Sequence, residues 1–326
     1  MKWFQKRPAG KSLKIFFATD IHGSDRCFRK FINAAEFYGA NVLILGGDIT
    51  GKVVVPITKT SGGLYRATVH HQLQEVSERE LPQLFKEIRS NGFYYYVTTR
   101  DEMEFLSQHP AAREEMFHRV IKDSLAAWFE LAEERLKGTG VQVFVSPGND
   151  DDDSVVSAIN AGPFVVNPDE TVREIAEGVW MLSFGWSNRT PWDSPRELDD
   201  NAIGQRLEHL VRQMPGFEHA IFNIHVPPYN TPLDKAPQLT ADLKPVVEAG
   251  EVQMTSVGSV AVRDFILKYQ PLLGLHGHIH ESAGITKLGR TTCINPGSEY
   301  SDGTLKGALV TIDMAKGSVM RQLIAG

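Results

Sequence analysis

Apolar runs in this chain stop repeatedly at turns that carry Asp, Asn or His. Lys14-Ile15-Phe16-Phe17-Ala18-Thr19 is continuous enough for a buried strand, and it ends in Asp20-Ile21-His22-Gly23-Ser24, polar residues that a core strand does not carry for packing. Cys27 to Tyr38 follows with helical periodicity and stops at Gly39, after which Asn41 to Leu45 is a second apolar strand running into Gly46-Gly47-Asp48. Strand, helix and strand, each strand ending in Asp, predict a βαβ unit with acids at its carboxyl edge. The pattern recurs. Val141 to Val145 leads into Pro147-Gly148-Asn149-Asp150, Ala220 to Ile224 into His225-Val226-Pro227-Pro228, and Leu272 to Leu275 into His276-Gly277-His278-Ile279-His280. Helices are expected over Leu198 to Met214 and Ser259 to Tyr269, and Ile285 to Ile294 and Ala308 to Met314 read as hairpin-forming strands with turns at Gly289 and Gly303. An order that alternates at first and is strand-rich at the end predicts an α/β protein with mixed sheets.

The stretch between Asp48 and Asn149 breaks this rhythm, because a parallel crossover needs only about a dozen residues or slightly more. Lys52 to His71 alternates around Thr60-Ser61-Gly62-Gly63 and reads as a β-hairpin. Glu78 to Lys137 is charged and amphipathic, with one helix expected near Glu80 to Arg89 and a longer one from Ala111 to Lys137. Residues 51–140 are therefore expected to be an insertion, a cap-like subdomain within one domain spanning 1–326. Within it, Tyr94-Tyr95-Tyr96 and Trp128-Phe129 are read as core aromatics in preference to a nucleobase-stacking surface.

Composition narrows the classes. The 326 residues are 42% hydrophobic and 23% charged, as in a soluble globular protein. A formal charge of -6 gives no global reason to bind DNA or anionic membranes, leaving only a local basic groove for such partners. Cys27 and Cys293 are too few for a disulfide framework and read as small buried hydrophobes in a reducing compartment. Met1 to Lys14 is basic, but the following apolar run, Ile15 to Ala18, is too short for a signal-peptide core. A cytoplasmic protein without a membrane partner is expected.

Asp and His are the side chains that hold hard or borderline divalent cations, and strand-end loops can gather distant ones at one sheet edge. Asp20 and His22, two apart on an extended segment, can point to the same side, and Asp48, Asn149, His225, His278 and His280 end or follow the later strands. One such residue alone is usually a capping or surface group. Recurrence after nearly every predicted strand is not explained that way.

The ordered set Asp-x-His, Gly-Gly-Asp, Gly-Asn-Asp, a single His and Gly-His-x-His resembles the calcineurin-like metallophosphoesterases. Gly185-Trp186-Ser187-Asn188-Arg189-Thr190-Pro191, His225-Val226-Pro227-Pro228-Tyr229-Asn230-Thr231, Gly277-His278-Ile279-His280-Glu281 and Asn295-Pro296-Gly297-Ser298 resemble its Icc-related branch of phosphoesterases. The resemblance covers residues 14–50 and 140–315. It implies a four-layer αββα sandwich of two mixed β-sheets, with the inserted hairpin and helices as a cap. It also implies two divalent metal ions, Mn2+, Fe, Ni2+, Co2+ or Zn2+. Asp20, His22 and His280 would bind one, Asn149, His225 and His278 the other, and Asp48 would bridge them. The implied reaction is in-line attack of a metal-bridging hydroxide on a phosphoester, with Asp48, Asn149 and His22 at the catalytic centre. Asn188 and Arg189, with Asn149, are the candidates to bind phosphate, and Thr231 and Ser259 stand behind them. His276 falls outside the ligand pattern and is read as a packed histidine, as are His109, His118, His209 and His219 on predicted helices. His70 and His71 are assigned a structural or solvent role.

One position departs from the family. Many members carry His after Gly-Asn, contacting phosphate and poised to protonate the leaving group, and this chain has Asp150. An ionised carboxylate repels phosphate and cannot donate a proton. This favours a phosphodiesterase over a monoesterase, acting on a small phosphoester or a nucleotide. A nuclease of the same superfamily and a metal-binding interaction module are the alternatives, the second because scaffold members of the family have lost the catalytic His.

Overall fold

In the computed structural model, which describes residues 12–314 and 318–326, the expected βαβ unit opens the chain as β1 (Ser12–Ala18), α1 (Asp25–Tyr38) and β2 (Val42–Leu45). Ser24 caps α1 by accepting from the Cys27 amide, and Gly39 ends it in the left-handed conformation. The long segment before the next sandwich strand contributes β3 (Val54–Lys59), β4 (Tyr65–Val69), β5 (Gln72–Val76), α2 (Leu81–Ser90), β6 (Tyr94–Thr98), α3 (Arg100–Gln108) and α4 (Pro110–Leu136). Then follow β7 (Gln142–Val145), α5 (Asp153–Ala161), β8 (Thr171–Ala176), β9 (Val179–Phe184), α6 (Asp200–Leu210) and β10 (Ile221–Ile224). The chain closes with α7 (Val260–Tyr269), β11 (Leu273–Leu275), β12 (Gly284–Leu288), β13 (Thr291–Asn295), β14 (Lys306–Asp313) and β15 (Ser318–Ala325).

Two mixed sheets result. The first has the order β15-β14-β1-β2-β7, with β1, β2 and β7 parallel and β14 and β15 antiparallel at one side. The second has the order β12-β13-β11-β10-β9-β8, parallel in its centre and antiparallel at both edges. Alternation along β1 and β2 sorts their side chains. Ile15, Phe17, Val42 and Ile44 face the other sheet and pack with Met181, Ile221, Leu275 and Ile294. Phe16, Ala18, Leu43 and Leu45 face outward into a core completed by Phe28 and Phe31 of α1, Trp128 of α4 and Ile159 of α5. On the far side Leu182, Phe184, Phe222 and Ile224 pack against Ile203 and Leu207 of α6 and Phe265 and Ile266 of α7. The molecule is thus a four-layer αββα sandwich. Each buried Leu, Ile or Phe contributes about 1.5–3 kcal/mol relative to exposure.

The connection between β2 and β7 holds a further sheet, β5-β4-β3-β6, with β3 and β6 parallel. Val55, Ile57, Tyr65, Ala67 and Val69 pack on Leu81, Leu84 and Ile88 of α2 in a separate core. Its last helix behaves differently. Ile121, Leu125, Trp128, Phe129, Ala132 and Leu136 of α4 are buried in the core of the sandwich, so α4 is the crossover helix between the parallel strands β2 and β7. Trp128 stacks on Phe28 with ring centroids 4.5 Å apart and donates to Asp25, in keeping with a core aromatic.

Several expected elements differ in detail. The stretch between the two helices expected over Glu80–Arg89 and Ala111–Lys137 contains β6, whose Tyr-Tyr-Tyr-Val-Thr composition suits a strand once β3 lies beside it. Gly289 does turn the β12–β13 hairpin, but Gly303 does not turn one. It ends a 3-10 turn over Tyr300–Asp302. The strand beyond it, β14, crosses to the other sheet, where Ala308, Val310 and Ile312 join the inter-sheet core beside β1. The helix expected to reach Met214 ends at Leu210 and is followed by a 3-10 turn over Val211–Gln213. Strands β5, β8, β9 and β15 had no counterpart in the sequence reading. Cys27 and Cys293 are buried free thiols, and burial pushes the Cys293 thiol up to about 12. No helix among the described residues is long and apolar enough to cross a membrane.

Candidate metal centre

The loops after β1, β2, β7, β10 and β11 meet at one end of the sandwich. Four of the expected ligands, Asp20, His22, Asp48 and His278, have positive φ, at 53°, 37°, 47° and 67°. Such conformations cost roughly 1–3 kcal/mol each and persist where the surroundings over-determine them. Here hydrogen bonds do so. The Asp20 amide donates to Gly47 O, the His22 amide to Asp48 O, and the His278 amide to the Asp20 carboxylate at 3.0 Å. Glycine gives the room for close approach: a Cβ at Gly148 would stand 2.1 Å from Asp48 Oδ1, and one at Gly47 would stand 2.4 Å from His225 Nδ1.

The ligating atoms gather into two groups. One donor atom each of Asp20, His22 and His280 lie within 4.8 Å of one another, as do those of Asp48, His225 and His278. Asp48 Oδ2 is 3.4 Å from His225 Nε2 and 4.0 Å from His22 Nε2, so it reaches a histidine of each group. His280 Nε2 is 3.4 Å from Asp20 Oδ1 and 3.1 Å from His22 Nε2, and Asn149 Oδ1 is 3.1 Å from His225 Nε2.

These residues fit divalent cations. Two donors each about 2.0–2.2 Å from a shared cation stand up to about 4.4 Å apart, and the individual donor pairs, at 3.1–4.0 Å, fall in that window. Asp20 and Asp48 are buried and face each other's charge, and the imidazoles of His22, His225 and His280 supply the opposite charge beside them. Burial pushes the Asp20 carboxyl up, but His225 and His280 outweigh it and hold it at about 2. Burial acts likewise on Asp48, and His225 and His22 carry it well below the usual carboxylate range. Burial pulls His225 down, yet Asp48 and Asp20 raise it to about 9, so the two carboxylates favour a positive charge at this point. His278 is lowered to about 4 by burial and by His225, which keeps its imidazole neutral and free to ligate.

Two side chains that the sequence reading did not single out hold the ligand loops. Asp151 is buried and accepts from the amides of Ile49, Thr50 and Gly148 and from the Thr50 hydroxyl, clasping the Asp48 loop to the Asn149 loop. Arg196 donates to Gly148 O at 3.1 Å and to buried Asp169 at 2.5 Å, stacks on Trp186, and its amide donates to Asn149 O. A third, Tyr300, lays its ring 4.7 Å from that of His22.

Asp150 lies at the mouth. Its carboxylate comes within 4.8 Å of ligand atoms of His22 and Asp48, accepts from Ser194 Oγ at 2.7 Å, and pairs with Lys52 Nζ at 2.7 Å. A salt bridge thus ties the segment before β3 to the loop that bears Asn149.

Other expected positions lie outside the cluster. Arg189 is exposed and pairs with Asp199 at 3.2 Å, and Asn188 donates to Val257 O while its buried Oδ1 lacks a partner. Thr231 closes its own turn onto Pro228 O, and Ser259 caps α7 by accepting from Val262 N. His276 is buried against Ile224 O and burial lowers it to about 4, as suits a packed histidine. His118 pairs with Asp152, the cap of α5.

No family model matches the chain. MJ1162 of Methanocaldococcus jannaschii, an uncharacterized protein, is 31% identical over 158 residues, which are 48% of this chain and 64% of that protein. The chain thus spans a little under two thirds of that relative's length. A solved crystal structure superposes over 95% of this chain and 98% of its own with a TM-score of 0.56 and 15% identity. The crystal structure of TT1561 of Thermus thermophilus does so with a TM-score of 0.52 and 14% identity, covering 95% and 98%. At these identities the likeness is one of fold.

Proposed function

We propose that the chain is a dinuclear-metal-dependent phosphoesterase of the calcineurin-like kind, and a phosphodiesterase in preference to a monoesterase. The observation that carries this reading is the convergence of Asp20, His22 and His280 beside Asp48, His225 and His278, with Asn149 against His225. In this reading Asp48 would be shared between the two positions and the others would each hold one cation, Mn2+, Fe, Ni2+, Co2+ or Zn2+ by donor chemistry. Bound there, the pair supplies Lewis-acid polarisation of the phosphate and a nucleophile from water at neutral pH.

The remaining work falls to the chain. Asn149 turns its amide oxygen to the cluster, and its Nδ2, 3.4 Å from Asp150, can donate to a phosphate oxygen. Tyr300 and the His280 ring confine His22. Asp150 pairs with Lys52 and accepts from Ser194, so its oxygens are taken up by donors and it is not placed as a donor to a departing alkoxide. Esters whose leaving groups need no protonation are therefore favoured, and Lys52 offsets the carboxylate's repulsion of phosphate.

Bis(p-nitrophenyl) phosphate assayed with Mn2+, Ni2+, Co2+ and Zn2+ tests the reading. Turnover is expected with at least one of them and is expected to fall to background in Asp48→Ala. No metal giving turnover above the Asp48→Ala control would overturn it.

A further inference from the structure

Between the strand pair β3–β6 and the corner of α3 and α4 the molecule has an open cleft of about 630 Å3. That is the size of pockets that hold small organic ligands. Val54, Tyr96, Met103, Leu106 and Phe117 give it apolar walls, and Lys52 stands at one end. Lys52 is the link: its ammonium is 2.7 Å from Asp150 Oδ2, and that carboxylate comes within 4.8 Å of ligand atoms of His22 and Asp48. A phosphate held at the cluster therefore lies one ion pair away from a largely apolar cleft that Lys52, Arg113 and Glu114 also line.

We infer that this cleft receives an ester substituent of the substrate, and that the substituent is a planar aromatic group of nucleobase or naphthyl size. The inference rests on the phosphoesterase reading for its orientation, with the phosphate at the metals and the ring in the cleft. The walls select the class. Tyr96 spends its hydroxyl on Glu102 and Arg119, and the Arg119 guanidinium lies over its ring at 5.6 Å, so the ring's other face and edge are what it offers. Phe117 adds a second ring and Met103 and Met116 add thioethers, groups that pack favourably on aromatic faces and edges. An acyl chain would gain contact area here but none of these directed contacts.

Methyl-13C-methionine labelling of the whole chain reads the cleft directly, since Met103 and Met116 line it and their signals can be assigned through Met→Leu variants. Titration with 1-naphthyl phosphate is expected to shift both signals saturably, and methyl phosphate is expected to leave them in place. Lys52→Met, an exposed position, is expected to weaken the naphthyl phosphate titration about fivefold or more. Absence of a saturable shift at both methionines, or an equal response to octyl phosphate, overturns the assignment. A kinetic arm separates the two readings. The metal-loaded protein is expected to hydrolyse 1-naphthyl p-nitrophenyl phosphate with about tenfold higher kcat/KM than methyl p-nitrophenyl phosphate, mostly through KM. Shifts without hydrolysis of either ester would sink the phosphoesterase reading and keep the cleft. Equal hydrolysis of both esters with silent methionines would sink the cleft and keep the phosphoesterase.

Discussion

Glu197 shows how single side chains hold the loop that covers the Asn149 side of the centre. Its buried carboxylate accepts from the Thr190 and Ser194 amides at 2.9 and 3.0 Å and from the Thr190 hydroxyl. Burial pushes the carboxyl up, but these donors outweigh it and hold the group below its ordinary value. A carboxylate depressed in the folded state stabilises above its unfolded pKa of about 4.3, and that stability is lost as pH falls through the folded value. Glu197→Gln is therefore expected to lose about 2 kcal/mol at pH 7, the scale of hydrogen bonds to a charged group. The gap from the parent protein should narrow toward about pH 3.5, below the unfolded value. Urea unfolding at the two pH values checks it, and a gap that widens on acidification would contradict it. At this scale the sequence exposes what repeats: Asp20, Asp48 and His225 each follow a short apolar run, and the repetition marks them. Lys52, Arg196, Glu197 and Tyr300 occur singly, and they matter because of partners such as Asp150, Asp169 and His22 that only the fold brings near.

Among the elements, β3 and β4 were readable because Thr60-Ser61-Gly62-Gly63 carries turn chemistry between alternating runs. The next hairpin was not, and the reason lies in its turn. Val69 pairs with Gln72, so His70 and His71 alone reverse the chain, at φ 48° and 63°. A two-residue turn with both residues left-handed favours Asn-Gly, and a His-His pair gives no such signal. The same misfit predicts a stabilising change. Replacing the pair by Asn-Gly should relieve roughly 1–2 kcal/mol of backbone strain. Slower amide exchange along Tyr65–Val69 and Gln72–Val76 is the expected readout; unchanged exchange would show that the left-handed histidines carry no cost. The βαβ unit was readable for the opposite reason, since Ser24 and Gly39 are the cap residues that α1 uses.

At the scale of the molecule, the connection between β2 and β7 divides into a part with a buried core of its own and a part that the sandwich depends on. The core formed by β3, β4 and α2 shares no buried member with the core that holds α4. The ends of the separable part are adjacent, because the Tyr94 amide donates to Val53 O at 2.9 Å. Residues 54–93 can thus be excised and the chain rejoined through two glycines without moving Tyr94, whose hydroxyl accepts from the Gly51 amide just after the Asp48 loop. That variant is expected to unfold cooperatively and to keep the metal cluster, read by denaturation and by metal content after dialysis. Extending the excision through residue 136 removes Ile121, Leu125, Trp128, Phe129, Ala132 and Leu136 from the sandwich. At about 1.5–3 kcal/mol for each large apolar side chain, that loss is comparable to the roughly 5–15 kcal/mol by which whole domains are stable. No cooperative transition is expected from the longer excision. If both variants fold equally well, α4 is not the crossover helix on which the sandwich rests; if neither folds, the sheet of β3 to β6 is part of the fold that positions the centre and not an addition to it.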